Sequence, residues 1–320
     1  MSAYLWTMLL GSLLVFALYG LYCARGTPLR RPWLTAGLSL LFAVLFGVVL
    51  SRVGYALLMQ ELDFEYDGIA ALEYLLEFEI DRVSFFCGAV GAVLGVLLAN
   101  RLARKGSVLP GMDAFAPFGA LLTALFRLGE IFHGSYGAGA TLEEGSPFAF
   151  FPFALQIHPD GNYVTYAWAV CVLSALFALV WAAVSFFRLR GTRAGLNLTA
   201  SLFFLALPQV LCESLRKSGM YWLFVHVEQL LCAVVLLAVM LFWVLRSGRS
   251  LPFLRRWAPV GILLLGAALL VGTEFAIDGK ILNITKPVCY GIMCVILVGI
   301  GAAGALAAAR WNREKTPGKA

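Results

Sequence analysis

The segment Phe115-Ala-Pro-Phe-Gly-Ala-Leu-Leu-Thr-Ala-Leu-Phe-Arg127-Leu-Gly-Glu-Ile-Phe-His-Gly-Ser-Tyr-Gly137 joins a hydrophobic run to a polar, glycine-rich loop, and Arg127 stands at the join. A guanidinium at the rim of a hydrocarbon layer is costly unless something anionic meets it. Glu130, His133 and three glycines follow within the same short segment. This is the best place in the chain for chemistry, and it faces one side of a membrane.

The rest of the chain agrees with the membrane reading. Hydrophobic residues make up 61% of its 320 residues and charged residues only 13%, against roughly a quarter charged in a soluble domain. Apolar runs long enough to cross about 30 Å as helix recur. They predict nine spans, at about 3–23, 33–59, 83–101, 113–128, 162–187, 196–215, 221–245, 257–275 and 287–309. Spans two and five exceed the ~20 residues a crossing needs, which leaves tilt or an overlong boundary as the two readings. The expected fold is an all-α, polytopic transmembrane helix bundle.

Orientation follows from where Lys and Arg fall between spans. The loops holding Arg25 to Arg31, Arg101 to Lys105, Arg188 to Arg193, Arg246 to Arg256 and Arg310 to Lys319 carry seventeen of the 24 basic residues. The opposite side holds most of the acids, eight of them between Glu61 and Asp81, with Glu143, Glu144 and Asp160 beyond. The N-terminus is therefore expected outside and the C-terminus in the cytoplasm. The net charge of +6 is a topology signal and not a nucleic-acid patch. The first span lacks a basic n-region and is expected to stay as a helix. The seven cysteines show no CxxC pair or zinc spacing, so packing is their expected role.

No internal repeat or low-complexity tract is visible. The acidic segment 61–80 has apolar residues at helical spacing and fits a short helix on the outer surface. A second outer segment, about 129–161, carries Phe148, Phe150, Phe151 and Phe153 and is expected to rest in the lipid interface. A break near Ser247 to Leu251 separates residues 1–246 from 247–320, whose two spans read as an appended hairpin with a cytoplasmic tail.

Ionisable groups in or beside spans are few: Arg52, Arg82, Arg127, Glu213, Arg216, Lys217, His226, Glu228 and Glu274. At about 1.5 Å per residue, all fall in the outer half or at the outer rim, with His226 and Glu228 one to two turns into span seven. Such groups usually face a bundle interior or a wet cavity. Plainer readings stand beside this one. Glu213 has Arg216 and Lys217 at helical i, i+3 and i+4 spacing, Arg52 and Arg82 have stems long enough to snorkel, His133 fits a turn, and His158 fits the start of span five. A lipid-handling enzyme would use an Arg for an anionic headgroup and a carboxylate or imidazole for proton transfer. A transporter needs polar groups through the midplane and down to the cytoplasmic side, and the inner halves of these spans are nearly bare. A silent lipid-binding scaffold is the third reading.

Several short segments, in order and spacing, resemble the prolipoprotein diacylglyceryl transferase family. Ser51-Arg-Val-Gly-Tyr55 resembles its G-x-R-(L/I)-G-Y, and Ser84-Phe-Phe-Cys-Gly-Ala-Val-Gly91 its S-F-H-G-G-x-x-G. Arg127-Leu-Gly-Glu-Ile-Phe-His-Gly134 resembles R-x-G-N-F-x-N-G-E. His158-Pro159 with Tyr163 resembles H-P-S-Q-L-Y-E, Glu213-Ser-Leu-Arg216 resembles E-F-F-R, and Gln229 stands at the glutamine of G-Q. The likeness covers about residues 1–245, a seven-span core with no counterpart for spans eight and nine. Phe86 replaces the motif His, Glu130 and His133 the two Asn, and Ser135 the acid. Gln209 replaces an Arg, and Thr7 stands where a Tyr is expected near the start of span one.

The resemblance implies transfer of a diacylglyceryl group from phosphatidylglycerol to the thiol of a lipobox cysteine in a prolipoprotein signal peptide, at the outer face of a bacterial inner membrane. It implies no metal or redox cofactor. Arg127 would hold the phosphate and stabilise the leaving group, with Arg52 or Arg216 adding charge. Glu130 or His133 would take the thiol proton, since the nucleophile is the thiolate. Glu213 would orient Arg127 by an ion pair. Gln209, Gln229, His158 and Tyr163 complete the substrate-binding candidates.

Overall fold

A computed structural model of the chain describes residues 3–26, 31–59, 82–103, 107–132, 137–143, 145–157, 164–188, 192–216, 221–222, 225–247, 251–277, 279 and 284–313. Among these, nine helices are long and apolar enough to cross a membrane. They are α1 (Ala3–Gly26), α2 (Pro32–Leu58), α3 (Phe85–Ala103), α4 (Leu109–Gly129), α5 (Val170–Arg188), α6 (Leu196–Leu215), α7 (Val227–Arg246), α8 (Phe253–Ile277) and α9 (Lys286–Arg313). A 3-10 turn, Glu130–Phe132, continues α4. The acidic segment 61–80 lies outside the described residues.

Two sequence boundaries need correction. Span five was expected from residue 162, but Thr165–Trp168 is a strand (β2) paired antiparallel with Ala154–Ile157 (β1), and α5 begins at Val170. Span seven was expected from residue 221, but Tyr221–Trp222 (β3) and Val225–His226 (β4) pair as a short hairpin, and α7 begins at Val227. His226 and Glu228 are therefore at the start of α7 and not one to two turns inside it. Hydropathy missed both breaks because these strand residues are mostly apolar or aromatic, and a short apolar run does not distinguish strand from helix. Span two, by contrast, is one helix of 27 residues.

The odd-numbered helices all finish at one end of the bundle on arginine: Arg25, Arg101, Arg188, Arg246, and Arg310 with Arg313. Cations there complement the helix carbonyl ends. At this basic end α6 is capped from another helix. Asp113 of α4 accepts the backbone N–H groups of Gly195 and Leu198, the latter at 2.9 Å, which supplies partners that a helix start lacks. Prolines inside helices are accommodated likewise. Pro117 cannot donate to the Asp113 carbonyl, and Asn197 Nδ2 donates to it instead at 3.0 Å. Pro259 leaves the Arg255 carbonyl to Arg310 Nη1 at 2.9 Å.

Two large apolar clusters make the core. One joins α1 to α4 through residues such as Val15, Tyr19, Val96, Met112 and Phe115. The other joins α6 to α9 through Phe203, Leu236, Met240, Trp243, Leu263, Met293 and Ile300. The small residues Ala124, Ala175 and Ala178 let α5 lie close to α4 between them. The last two helices are thus packed into the core of the second half, against α6 and α7. Of the four phenylalanines expected at the lipid interface, Phe148, Phe150 and Phe151 are exposed, while Phe153 is partly buried against Phe148 and Phe150.

Candidate active site

Opposite the basic end, charged side chains from α4, α6 and α7 converge at the seam between the two clusters. Arg127, in the last turn of α4, is 1% exposed. Its Nη1 donates to Glu130 Oε1 at 2.7 Å and its Nη2 to Glu213 Oε1 at 3.4 Å. Arg216 follows the end of α6. Its Nη2 lies 3.2 Å from Glu130 Oε2 and its Nε 3.3 Å from Glu213 Oε2. Each carboxylate therefore bridges both guanidinium groups, and the four side chains close into a neutral ring. Buried charges persist only when paired and hydrogen-bonded in this way.

The surrounding backbone holds the ring in place. Gly137 lies against the Glu130 carbonyl so closely that a Cβ would meet it at 2.8 Å. Gly139 pairs with Arg216 as an isolated bridge, and the Ala140 N–H donates to the Leu215 carbonyl at 2.8 Å. Gly137 and Gly139 thus allow the backbone there to lie against both charged elements. Phe85 of α3 covers one face of the Arg127 guanidinium, 3.8 Å from ring centroid to Cζ, an arrangement attractive in its own right. Gln209 sits one turn before Glu213 on α6, donates to its Oε1 and accepts from Ser174 Oγ at 2.9 Å. Tyr4 is buried at the start of α1, close to Gly129 and in electrostatic contact with Glu130. The first helix therefore does bring a tyrosine to the site, one turn before Thr7.

A third carboxylate adjoins the ring. Glu228, in the first turn of α7, has Oε2 3.7 Å from Arg127 Nη2, while its Oε1 accepts from Ser84 Oγ at 3.2 Å and the Phe86 N–H at 3.3 Å. The sequence marks Glu228 as an embedded acid but gives it no role, because its hydrogen-bond donors Ser84 and Phe86 lie more than 140 residues away along the chain. The next residue, Gln229, donates through Nε2 to the Val210 carbonyl at 3.3 Å and to Glu274 Oε1 of α8 at 2.9 Å. Arg52 is buried near the end of α2, and its Nη1 donates to the Arg82 carbonyl at 2.9 Å. With the Ser84 N–H bonded to the Ser51 carbonyl at 3.0 Å, this fixes the approach to α3. His226, just before α7, is buried, and burial pushes its imidazole below the ordinary histidine range, against the opposing pull of Glu213 and Glu274.

Of the sequence candidates, Arg127, Glu130, Glu213, Arg216 and Gln209 meet in one network. Gln229 and Arg52 sit beside it through the contacts just given. His133, His158 and Tyr163 lie outside the described residues. Among the described residues no group of three or more His, Cys, Asp and Glu side chains is arranged to hold a metal ion.

A search of curated proteins finds none that matches the chain. A sequence model of a known family, described as prolipoprotein diacylglyceryl transferase, matches residues 2–245. The match runs from the first helix to the end of α7 and takes in every member of the charged network except Glu274. The chain is a multi-pass membrane protein of the prolipoprotein diacylglyceryl transferase family, which supports a transferase role in lipoprotein modification.

Proposed function

We propose that the protein transfers the diacylglyceryl group of phosphatidylglycerol to the lipobox cysteine thiol of prolipoproteins, at the outer face of the bacterial inner membrane. The observation that carries this reading is the pair Arg127 and Arg216, held side by side by Glu130 and Glu213 at the end of the bundle away from the basic loops. In the reaction a carbon–sulfur bond forms and the carbon–oxygen bond to phosphate breaks, so glycerol phosphate leaves with an added negative charge. Two fixed guanidinium groups in a water-poor site stabilise that charge without reorganising. Glu130 and Glu213 are positioning residues here, since both oxygens of each are engaged by arginine. Gln209 fixes Glu213, and Arg52 shapes the approach through the Arg82 carbonyl. His158 and Tyr163 remain proposed substrate contacts, and His133 a proposed acceptor of the thiol proton. Residues 1–246 would carry the activity, with 247–320 as a helical hairpin and cytoplasmic tail.

Closure of the ring, with Arg127 1% exposed, favours a second reading: a catalytically silent relative that binds phospholipid or lipoprotein precursors. Incubating the purified protein with phosphatidylglycerol vesicles and a lipobox peptide separates the two. The enzyme yields lipidated peptide and glycerol phosphate, and Arg127→Ala lowers turnover by roughly 100-fold or more. Binding of either substrate with no lipidated peptide would leave only the silent relative.

A further inference from the structure

We infer that Glu228 is a catalytic residue of this site, the group that accepts the proton of the incoming thiol. The inference rests on the transferase reading above and concerns only where the proton goes.

Charge and access single Glu228 out among the three carboxylates. Glu130 and Glu213 each bridge two arginines, so the four-membered ring is neutral without help. Protonating either acid would break two ion contacts and leave a buried cation in excess, which costs several kcal/mol. Among the described residues Glu228 is the fifth charge of the cluster and the unbalanced one. Its one ion contact among the described residues, to Arg127 at 3.7 Å, is the longest in the cluster. Protonation there cancels the surplus charge and leaves the ring intact. Its side chain is 12% exposed, against 1% for Glu130 and 3% for Glu213, so it is also the least enclosed of the three carboxylate side chains.

The groups that hold Glu228 suit this role. Ser84 Oγ and the Phe86 N–H both hold Oε1, at 3.2 and 3.3 Å, which leaves Oε2 turned toward the guanidinium pair where the leaving phosphate would sit. A thiol meeting Oε2 is therefore beside the cations that stabilise the departing oxygen. Glu228 also rests on the backbone of Phe86, the position where the resembled motif carries a histidine. In the step, Oε2 takes the sulfur's proton and the thiolate attacks the glyceryl carbon. The carbon–oxygen pair then moves to phosphate, and the Glu228 proton passes to the leaving phosphate, which restores the carboxylate. No other reactant is needed.

The test compares the full-length protein with Glu228→Gln over pH 6 to 9, using phosphatidylglycerol vesicles and a lipobox peptide. Glutamine keeps the size and still accepts from Ser84 and Phe86. The expected loss is about 100-fold or more at pH 7. The gap should narrow as pH rises toward 8.5, because the peptide thiol, with a pKa of about 8.5, then ionises unaided. A second variant, Ser84→Ala, removes a hydrogen bond that favours the charged carboxylate and should move the acid limb of the pH–rate profile to higher pH. Wild-type turnover with Glu228→Gln within threefold of it, or with a gap constant across pH, would overturn the inference while leaving the transferase intact. If Glu228→Gln does not fold, an unmoved acid limb in Ser84→Ala overturns it instead. No lipidated peptide from the wild type would remove the transferase reading and this step together.

Discussion

In the first half of the bundle α2 and α3 meet backbone to backbone, whereas in the second half α6 to α9 meet through large side chains. A Cβ on Gly91 or Gly95 would overlap the carbonyls of Phe46 or Phe42 across the α2–α3 contact. Small residues allow this close approach, and van der Waals packing drives it where lipid is as apolar as the partner helix. The second half instead buries Phe203, Met240, Trp243, Met293 and Ile300 almost completely. Trp243 Nε1 is satisfied by Thr199 Oγ1 at 3.0 Å. Between these two apolar bodies runs a charged seam, with Arg127 from the first half and Glu213, Arg216 and Glu228 from the second. The difference shows where each kind of interaction is tolerated. Apolar packing organises each half, and the costly charges gather where the halves meet and each can find a partner from the other.

Each variant below tests one side of that contrast. Arg127→Ala should be the most damaging to stability, because it leaves the buried Glu130 and Glu213, and Glu228 beside them, short of a cation, at a cost of about 3–5 kcal/mol. Detergent-solubilised protein followed by thermal or SDS-induced unfolding would read the loss. Stability unchanged by this substitution would mean that the seam does not hold the halves together. Gly91→Ala forces a methyl into a backbone carbonyl and should cost about 1–3 kcal/mol by the same measurement. The cost should be seated in the first half, leaving the environment of Trp243 unaltered in fluorescence.

Glu274→Ala removes one acceptor of Gln229 and should cost about 0.5–1.5 kcal/mol. Because Gln229 follows Glu228 directly, a few-fold change in turnover is expected as well, and no change would show that the hairpin is uncoupled from the site. The smallest effect concerns pH. The imidazole of His226, among Glu213, Glu274 and Arg216, has its folded pKa held below the unfolded value. The unfolded chain therefore binds the proton first, and this residue's contribution is lost as pH falls below about 6.5 and levels off beneath the folded pKa. Between pH 7.5 and 5.5 the wild type should lose stability relative to His226→Asn, and parallel profiles would contradict this.

Some of the site was legible in the chain. Arg127, Glu213 and Arg216 stand out because ionisable groups are so rare in these spans, and the helical spacing of Glu213 and Arg216 already allowed their contact. The bridging role of Glu130 was not legible, since the residues that complete the ring lie 86 positions away. Glu228 was visible only as one acid among several. The starts of α5 and α7 were misplaced because the residues before them are apolar in strand and helix alike.

Hydropathy, length and the placement of arginine are local properties, so the chain alone determined that nine segments are long and apolar enough to cross and that the embedded charges gather at the end away from the basic loops. Which carboxylate balances which guanidinium is set by distances of a few ångströms between segments far apart in sequence. Only the packing of α3, α4, α6 and α7 fixes those distances, and so only the tertiary structure decided that two acids close a neutral ring and a third is left over.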